Sequence, residues 1–232
     1  YGDGNGDGSP DLSAEQVNAL NRKVLAEIRR TNPTRVVILT GGGKSSYEAP
    51  LQLDDALFTQ DPYLLATFHY YKPFPFTKNG VGTNTRYTWG TAADKQAMTA
   101  DFDAVKNWAA PRGVSVFLGE FGANDSSSVS PSSRVEFHRY AAQQALARGF
   151  SFAAWDEGVG DKPRKSVYLR SPGTWDAAVR DALLATPKLT GGASTGGNPA
   201  TPAQMVRRMG RGINLGNTMN AAKEGNWQAA VQ

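Results

Sequence analysis

Short apolar runs alternate with longer stretches of helical periodicity along most of this chain, and that alternation limits the fold more than any other feature. Arg35–Thr40, Leu64–Tyr71, Val114–Phe121 and Phe150–Asp156 are apolar along their length and are bounded by turn-forming residues. A strand that is apolar on both faces must be covered on both, which points to a parallel sheet packed under helices. Helices are expected in the intervals. Leu12–Arg30 carries Val17, Leu20, Val24, Leu25 and Ile28 at helical spacing behind a Ser13/Gln16 capping box, and Asn32-Pro33 stops it. Asp94–Ala109, Ser132–Arg148 and Trp175–Ala185 fill the other intervals; Pro111-Arg112-Gly113 breaks the first and Gly149 ends the second. A fifth strand at Gly210–Gly216 follows a short helix, Pro202–Met209, that Thr201 is placed to cap. The class is therefore α/β with five strand-like units. A closed (β/α)8 barrel uses eight strands in about 250 residues, whereas five parallel strands also suit an open doubly wound sheet. The pattern leaves both open.

The segment Thr190–Ala200, TGGASTGGNPA, is the one obvious linker. It divides the chain into residues 1–189, a linker with a short helix over 190–206, and a terminal strand and loop over 207–232. Of the 232 residues none is cysteine and only His69 and His138 are histidines. Disulfides and cysteine nucleophiles are excluded, and no metal site is expected. The net charge is +4. Its denser basic spots, Arg29-Arg30, Lys162–Lys165 and Arg207–Arg211, read as solvated surface, because no basic stripe with interleaved aromatics indicates nucleic-acid binding. No apolar run approaches the roughly 18–20 residues of a membrane span. Tyr1–Asp11 has neither the basic nor the apolar region of a signal peptide.

Two glycine-rich segments mimic ligand loops. Asp3–Gly8, DGNGDG, begins like a calcium loop, but the twelfth position, where a bidentate Glu belongs, is Ala14. Thr40–Ser45, TGGGKS, follows a strand like a phosphate loop, but the glycine required five residues before Gly43 is Ile38. Neither is taken as a site.

Chemistry concentrates at the strand ends. Glu120 stands at the C-terminal end of Val114–Phe121, where parallel α/β folds carry their active sites. His69 and Tyr71 end another strand and, two residues apart, point the same way. Trp155 ends a third. Trp89, Trp227 and the run Phe74–Phe76 fall in expected loops, where several aromatic rings together suggest stacking on sugars; for each tryptophan singly, packing is the first reading and stacking the second. No Gly-x-Ser-x-Gly elbow is present, so the chemistry on offer belongs to carboxylates.

Several pieces form a joint pattern. They are Gly212-Ile-Asn-Leu-Gly-Asn217-Thr with Glu224-Gly-Asn-Trp227; the Arg35–Thr40 strand; His69-Tyr-Tyr71 with Pro73 and Phe76-Thr77; Trp89-Gly90; Gly119-Glu120-Phe121-Gly122; and Trp155 with Gly173-Thr174-Trp175. Together they resemble glycoside hydrolase family 5, the cellulase-type (β/α)8 barrels, over nearly all of the chain outside the linker. The resemblance implies a retaining endo-acting hydrolase of β-1,4-glucan, with mannanase and xyloglucanase as alternatives within the family, and no cofactor. It makes Glu120 the nucleophile, Tyr71 the group that holds and polarises it, and His69 a substrate hydrogen-bonding partner. Trp155, Asn217, Trp89 and Trp227 become substrate-binding residues. An extracellular protein, its signal peptide not in this chain, goes with that activity.

The order of the pieces differs from the family's. Residues 1–189 match the second half of the barrel, and 207–232 match its first strand and loop. The second to fourth strands have no counterpart, and no Asn-Glu-Pro motif supplies the acid/base glutamate. The resemblance thus implies an incomplete, permuted barrel of about five βα units. Five strands do not close an eight-stranded barrel. Arg35–Thr40 and Gly212–Gly216 are then edges that call for a companion segment or a swapped partner, and a carbohydrate-binding fragment without catalysis is the alternative function.

Overall fold

A computed structural model describes residues 12–80, 83, 85–158, 162, 164–169, 173–187, 189 and 201–215. Asp3–Gly8, the linker, Asn217 and Trp227 lie outside the described residues. In chain order the elements are α1 (Ala14–Thr31), β1 (Val37–Leu39), α2 (Asp55–Gln60), β2 (Leu64–Tyr70), α3 (Phe74–Thr77), α4 (Ala92–Ala109), β3 (Ser115–Phe121), α5 (Pro131–Ala147) and β4 (Ser151–Asp156). They continue with β5 (Tyr168–Leu169), β6 (Thr174–Trp175), α6 (Ala177–Leu184), α7 (Pro202–Met209) and β7 (Arg211–Leu215). Two 3₁₀ turns, Gly43–Ser45 and Pro50–Gln52, lie between β1 and α2, and a third, Ala110–Arg112, follows α4.

Five of the strands form one parallel sheet in the order β1-β2-β3-β4-β7. The two strands expected at the edges, β1 and β7, are there. Helix ends follow local chemistry. Ser13 and Gln16 form the capping box of α1, Thr91 and Asp94 that of α4, and Thr201 and Gln204 that of α7. Gly113 and Gly149 take the left-handed conformations that end α4 and α5 (φ 64° and 78°). The core lies between the sheet and the helices. Phe68 meets Phe102 and Phe150 edge to face at 5.3 and 6.0 Å, and Phe121 meets Phe152 at 5.6 Å. Burying each such ring stabilises by about 1.5–3 kcal/mol.

Three elements differ from expectation. The first strand is only Val37–Leu39, because an edge strand with one neighbour pairs only where β2 runs beside it. Helix α2 escaped notice because six residues are too few to show a period. Residues 174–175 pair antiparallel with 168–169, so α6 begins later, at an Asp176 cap. At Gly43–Ser45 the glycine-rich segment makes one 3₁₀ turn with positive φ at Gly43, Lys44 and Ser45, and it does not open a helix. Among the described residues no helix is long and apolar enough to cross a membrane.

Candidate active site

Strict alternation along β3 would put Glu120 on the same face as Val116 and Leu118, beneath the helices. The pairing with β2 prevents this. Phe68 lies opposite Leu118, but the next pair is His69 with Glu120, so Gly119 is passed over as a bulge. One extra residue exchanges the two faces. Glu120 therefore turns onto the face of His69, while Phe121 turns under the helices opposite Tyr70, and both of the latter are buried. A glycine is needed at the bulge, since a Cβ on residue 119 would stand 2.7 Å from Thr67 Oγ1. That hydroxyl is itself committed, donating to Phe117 O at 2.8 Å.

The two side chains expected to share a strand end do so. The Tyr71 hydroxyl donates to Glu120 Oε2 at 3.0 Å, and His69 Nδ1 stands 3.4 Å from the same oxygen. Glu120 and His69 are half-buried, with 21% and 24% of their side chains exposed. Burial raises the Glu120 carboxyl, and the Tyr71 hydrogen bond opposes this by favouring the anion. Burial lowers His69 to about 4, so near neutral pH it is an uncharged hydrogen-bonding group rather than an ion-pair partner. Tyr71 is raised, first by burial and then by the Glu120 charge, which keeps its hydroxyl protonated and donating. Among the described residues no Lys or Arg pairs with Glu120.

Neighbouring strands support this tip. Trp155, half-buried at the end of β4, pairs in register with Asn214 of β7. Asn214 Nδ2 donates to the bulge carbonyl, Gly119 O, at 3.1 Å. Asp156, 1% exposed, turns the other way and gathers the backbone N–H groups of Gly158, Val167 and Tyr168 at 2.8, 2.8 and 2.7 Å. Buried Arg134 ties the loops together: its guanidinium donates to Ala123 O at 3.0 Å, to Ser166 O at 3.1 Å, and to the Asp176 carboxylate.

Trp89 departs from the expectation of a stacking surface. It is 5% exposed and sits edge-on to Phe137 at 5.3 Å and beside Tyr140 at 5.8 Å. Its surroundings are those of the packing role, because α5 closes over the loop that carries it. Exposed aromatics among the described residues are Phe74, Tyr87 and Trp175, the last against Tyr168 at 5.0 Å. Lys165 also departs from a solvated basic cluster, since its ammonium turns inward to Asn124. The roles of Asn214, Arg134 and Lys165 were missed, because none lies at an expected strand tip beside a carboxylate. Gly119 did carry a signal, for a glycine inside a strand marks a bulge or a close approach. Among the described residues no group of three or more His, Asp or Glu side chains is placed to hold a metal ion.

The sequence profile of cellulase (glycosyl hydrolase family 5) matches residues 3–160. The chain belongs to glycosyl hydrolase family 5. Endoglucanase H of Acetivibrio thermocellus is 36% identical over 176 residues, 75% of this chain and 18% of that protein. Endoglucanase B of Clostridium cellulovorans is 29% identical over 69% of this chain and 37% of its own length. Among solved structures, a hyperthermophilic endo-β-1,4-glucanase in complex with substrate superposes with a TM-score of 0.67 at 31% identity, over 76% of this chain and 56% of that one. Cellulose synthase subunit Z of Clostridioides difficile gives 0.66 at 28% identity, over 75% and 57%. The chain spans a little over half of these structures and well under half of the curated relatives. Its five-stranded sheet is accordingly part of a family 5 barrel.

Proposed function

We propose that the chain carries the nucleophile side of a retaining endo-β-1,4-glucanase site, with Glu120 as nucleophile. The observation that carries this is one carboxylate oxygen that accepts from the Tyr71 hydroxyl and faces His69 Nδ1 at 3.4 Å, at the C-terminal end of a parallel strand. Glu120 attacks the anomeric carbon, the bond to the departing sugar breaks, and a glycosyl ester forms; water then cleaves that ester. Tyr71 keeps the attacking group ionised, and neutral His69 is free to hydrogen-bond a sugar hydroxyl. Trp155, half-buried at the end of β4, is assigned to stack on the sugar. Asn217 and Trp227 remain expected substrate contacts, and Trp89, packed as it is, acts at most through the loop it anchors. The substrate class rests on the relatives' activities, and an extracellular setting goes with a polymeric substrate.

The proton for the departing sugar comes from a glutamate outside this chain. We assign it to a companion segment that adds three parallel strands between β7 and β1, whether the order of pieces reflects permutation or a junction of modules. Among the described residues β1 and β7 are the outer strands of the sheet and Ile38 on β1 is half-exposed, which supports this. A catalytically silent carbohydrate-binding unit is favoured by one observation, the lack of an Asn-Glu-Pro motif.

Activated aryl β-cellobiosides separate the two, because their leaving groups need no proton in the first step. The proposal expects a burst of released phenol from the chain alone, abolished in Glu120→Gln, and turnover of soluble cellulose only with the companion present. Binding of cello-oligosaccharides with no burst in either state would establish the silent unit.

A further inference from the structure

Lys165 lies in the loop after β4. Its stem passes over Gly122, where an added Cβ would stand 3.8 Å from Lys165 Cδ. Its Nζ donates to Asn124 Oδ1 at 2.7 Å and lies 5.7 Å from the centre of the Tyr71 ring. Asn124 is buried and doubly anchored: its backbone N–H donates to Thr77 O at 2.9 Å, and its Nδ2 donates to Asn79 O at 2.9 Å. The Thr77 hydroxyl donates in turn to Tyr71 O. The loops after β2, β3 and β4 thus meet at one amide, and the cation held there faces the ring whose hydroxyl holds Glu120.

We propose that Lys165 is a positioning residue for Glu120, acting through Tyr71. The ammonium fixes the plane of the Tyr71 ring and, through the ring, favours negative charge on the oxygen that accepts from the hydroxyl. This deepens the assignment of Glu120 as nucleophile and rests on it. Other charges face the same groups. Glu157 Oε1 accepts the backbone N–H of Lys165 at 2.5 Å, and the Glu157 charge acts on both Lys165 and Tyr71. Lys78 repels the ammonium, and His69 faces Glu120 uncharged. Burial lowers the Lys165 ammonium and the Glu157 charge opposes this.

The test uses the full chain with ¹³C-labelled glutamate carboxyls, where the Glu120 resonance is the one lost in Glu120→Gln. Lys165→Met keeps the stem over Gly122 and deletes the charge. It is expected to raise the Glu120 titration midpoint by about 0.5 pH unit or more, while Lys165→Arg leaves it within about 0.2. Asn124→Ser, which frees the ammonium without removing it, moves the midpoint the same way and serves if the Met variant fails to fold. In a Tyr71→Phe background the Lys165→Met effect should vanish, because the route runs through Tyr71. An unchanged midpoint in folded Lys165→Met or Asn124→Ser overturns the proposal, and so does an equal shift in the Phe background. If Glu120→Gln leaves glycoside cleavage intact while the midpoint still moves, the coupling stands and only the catalytic assignment falls.

Discussion

The Tyr71 hydroxyl donates a 3.0 Å hydrogen bond to Glu120 Oε2, from a strand 49 positions earlier in the chain. That bond joins the tips of β2 and β3, and it lowers the Glu120 carboxyl against the effect of burial. Replacing Tyr71 with Phe should therefore shift Glu120 further upward and cut kcat of the assembled enzyme about 10- to 100-fold, the usual cost of a hydrogen bond to a charged group. The acid limb of the rate profile should move to higher pH with it. Unaltered kcat and an unaltered limb would remove Tyr71 from the role.

Gly119→Ala tests the bulge. The new Cβ meets Thr67 Oγ1 at 2.7 Å, so the variant should lose about 1–3 kcal/mol and most of its activity as Glu120 is re-aimed. Thr67→Ala in the same chain removes the obstructing hydroxyl and should recover part of the stability. Urea midpoints of the two variants measure this, and no recovery in the double variant would count against the contact as the cause.

Two histidines make stability depend on pH. Burial lowers His138 to about 3 and His69 to about 4, against about 6.5 in the unfolded chain. A depressed folded value means stability that is complete above pH 6.5 and is lost as pH falls through that point, because the unfolded chain then binds protons that the folded chain refuses. Each histidine should contribute about 1.4 kcal/mol per pH unit of loss. The interval from pH 6.5 to 5 isolates them, since the lowered carboxyls Asp94, Glu136 and Asp176 begin to act only nearer pH 4. Glu120, raised, works in the opposite direction. A His138→Gln chain should show about half the slope in that interval, and an unchanged slope would place the linkage elsewhere.

Arg134 should be harder to replace than its neighbours. Its side chain is 5% exposed and joins three segments through Ala123 O, Ser166 O and Asp176. Arg134→Met removes the guanidinium from which Asp176, Ala123 O and Ser166 O accept and should cost about 3–5 kcal/mol. Lysine supplies charge but not the planar fork, so Arg134→Lys should recover only part of the loss. Thermal unfolding of the two variants compares them directly; full recovery with lysine would mean that charge alone matters.

Much of the architecture was legible locally. The capping residues of α1 and α7, the glycines closing α4 and α5, and the apolar runs of β2, β3 and β4 each depend on neighbours a few positions away. Their order alone implied parallel pairing, and hence which strand ends would carry His69, Tyr71, Glu120 and Trp155. Helix α2 and the short ribbon of β5 and β6 were too brief to leave a period.

The face on which Glu120 stands does not follow from alternation along its own strand, although Gly119 signalled a bulge or close approach there. Alternation counted along β3 gives the wrong side, and only pairing with β2 shows that Gly119 is skipped. Trp89, a substrate contact by family resemblance, is covered by α5, and Lys165 looked solvated until Asn124 and Tyr71 received it. Secondary structure follows from short-range backbone preferences and side-chain period, which the chain carries residue by residue. Register, burial and the surroundings of a charge depend on which distant segments become neighbours, and those neighbours are settled by packing the whole sheet against its helices.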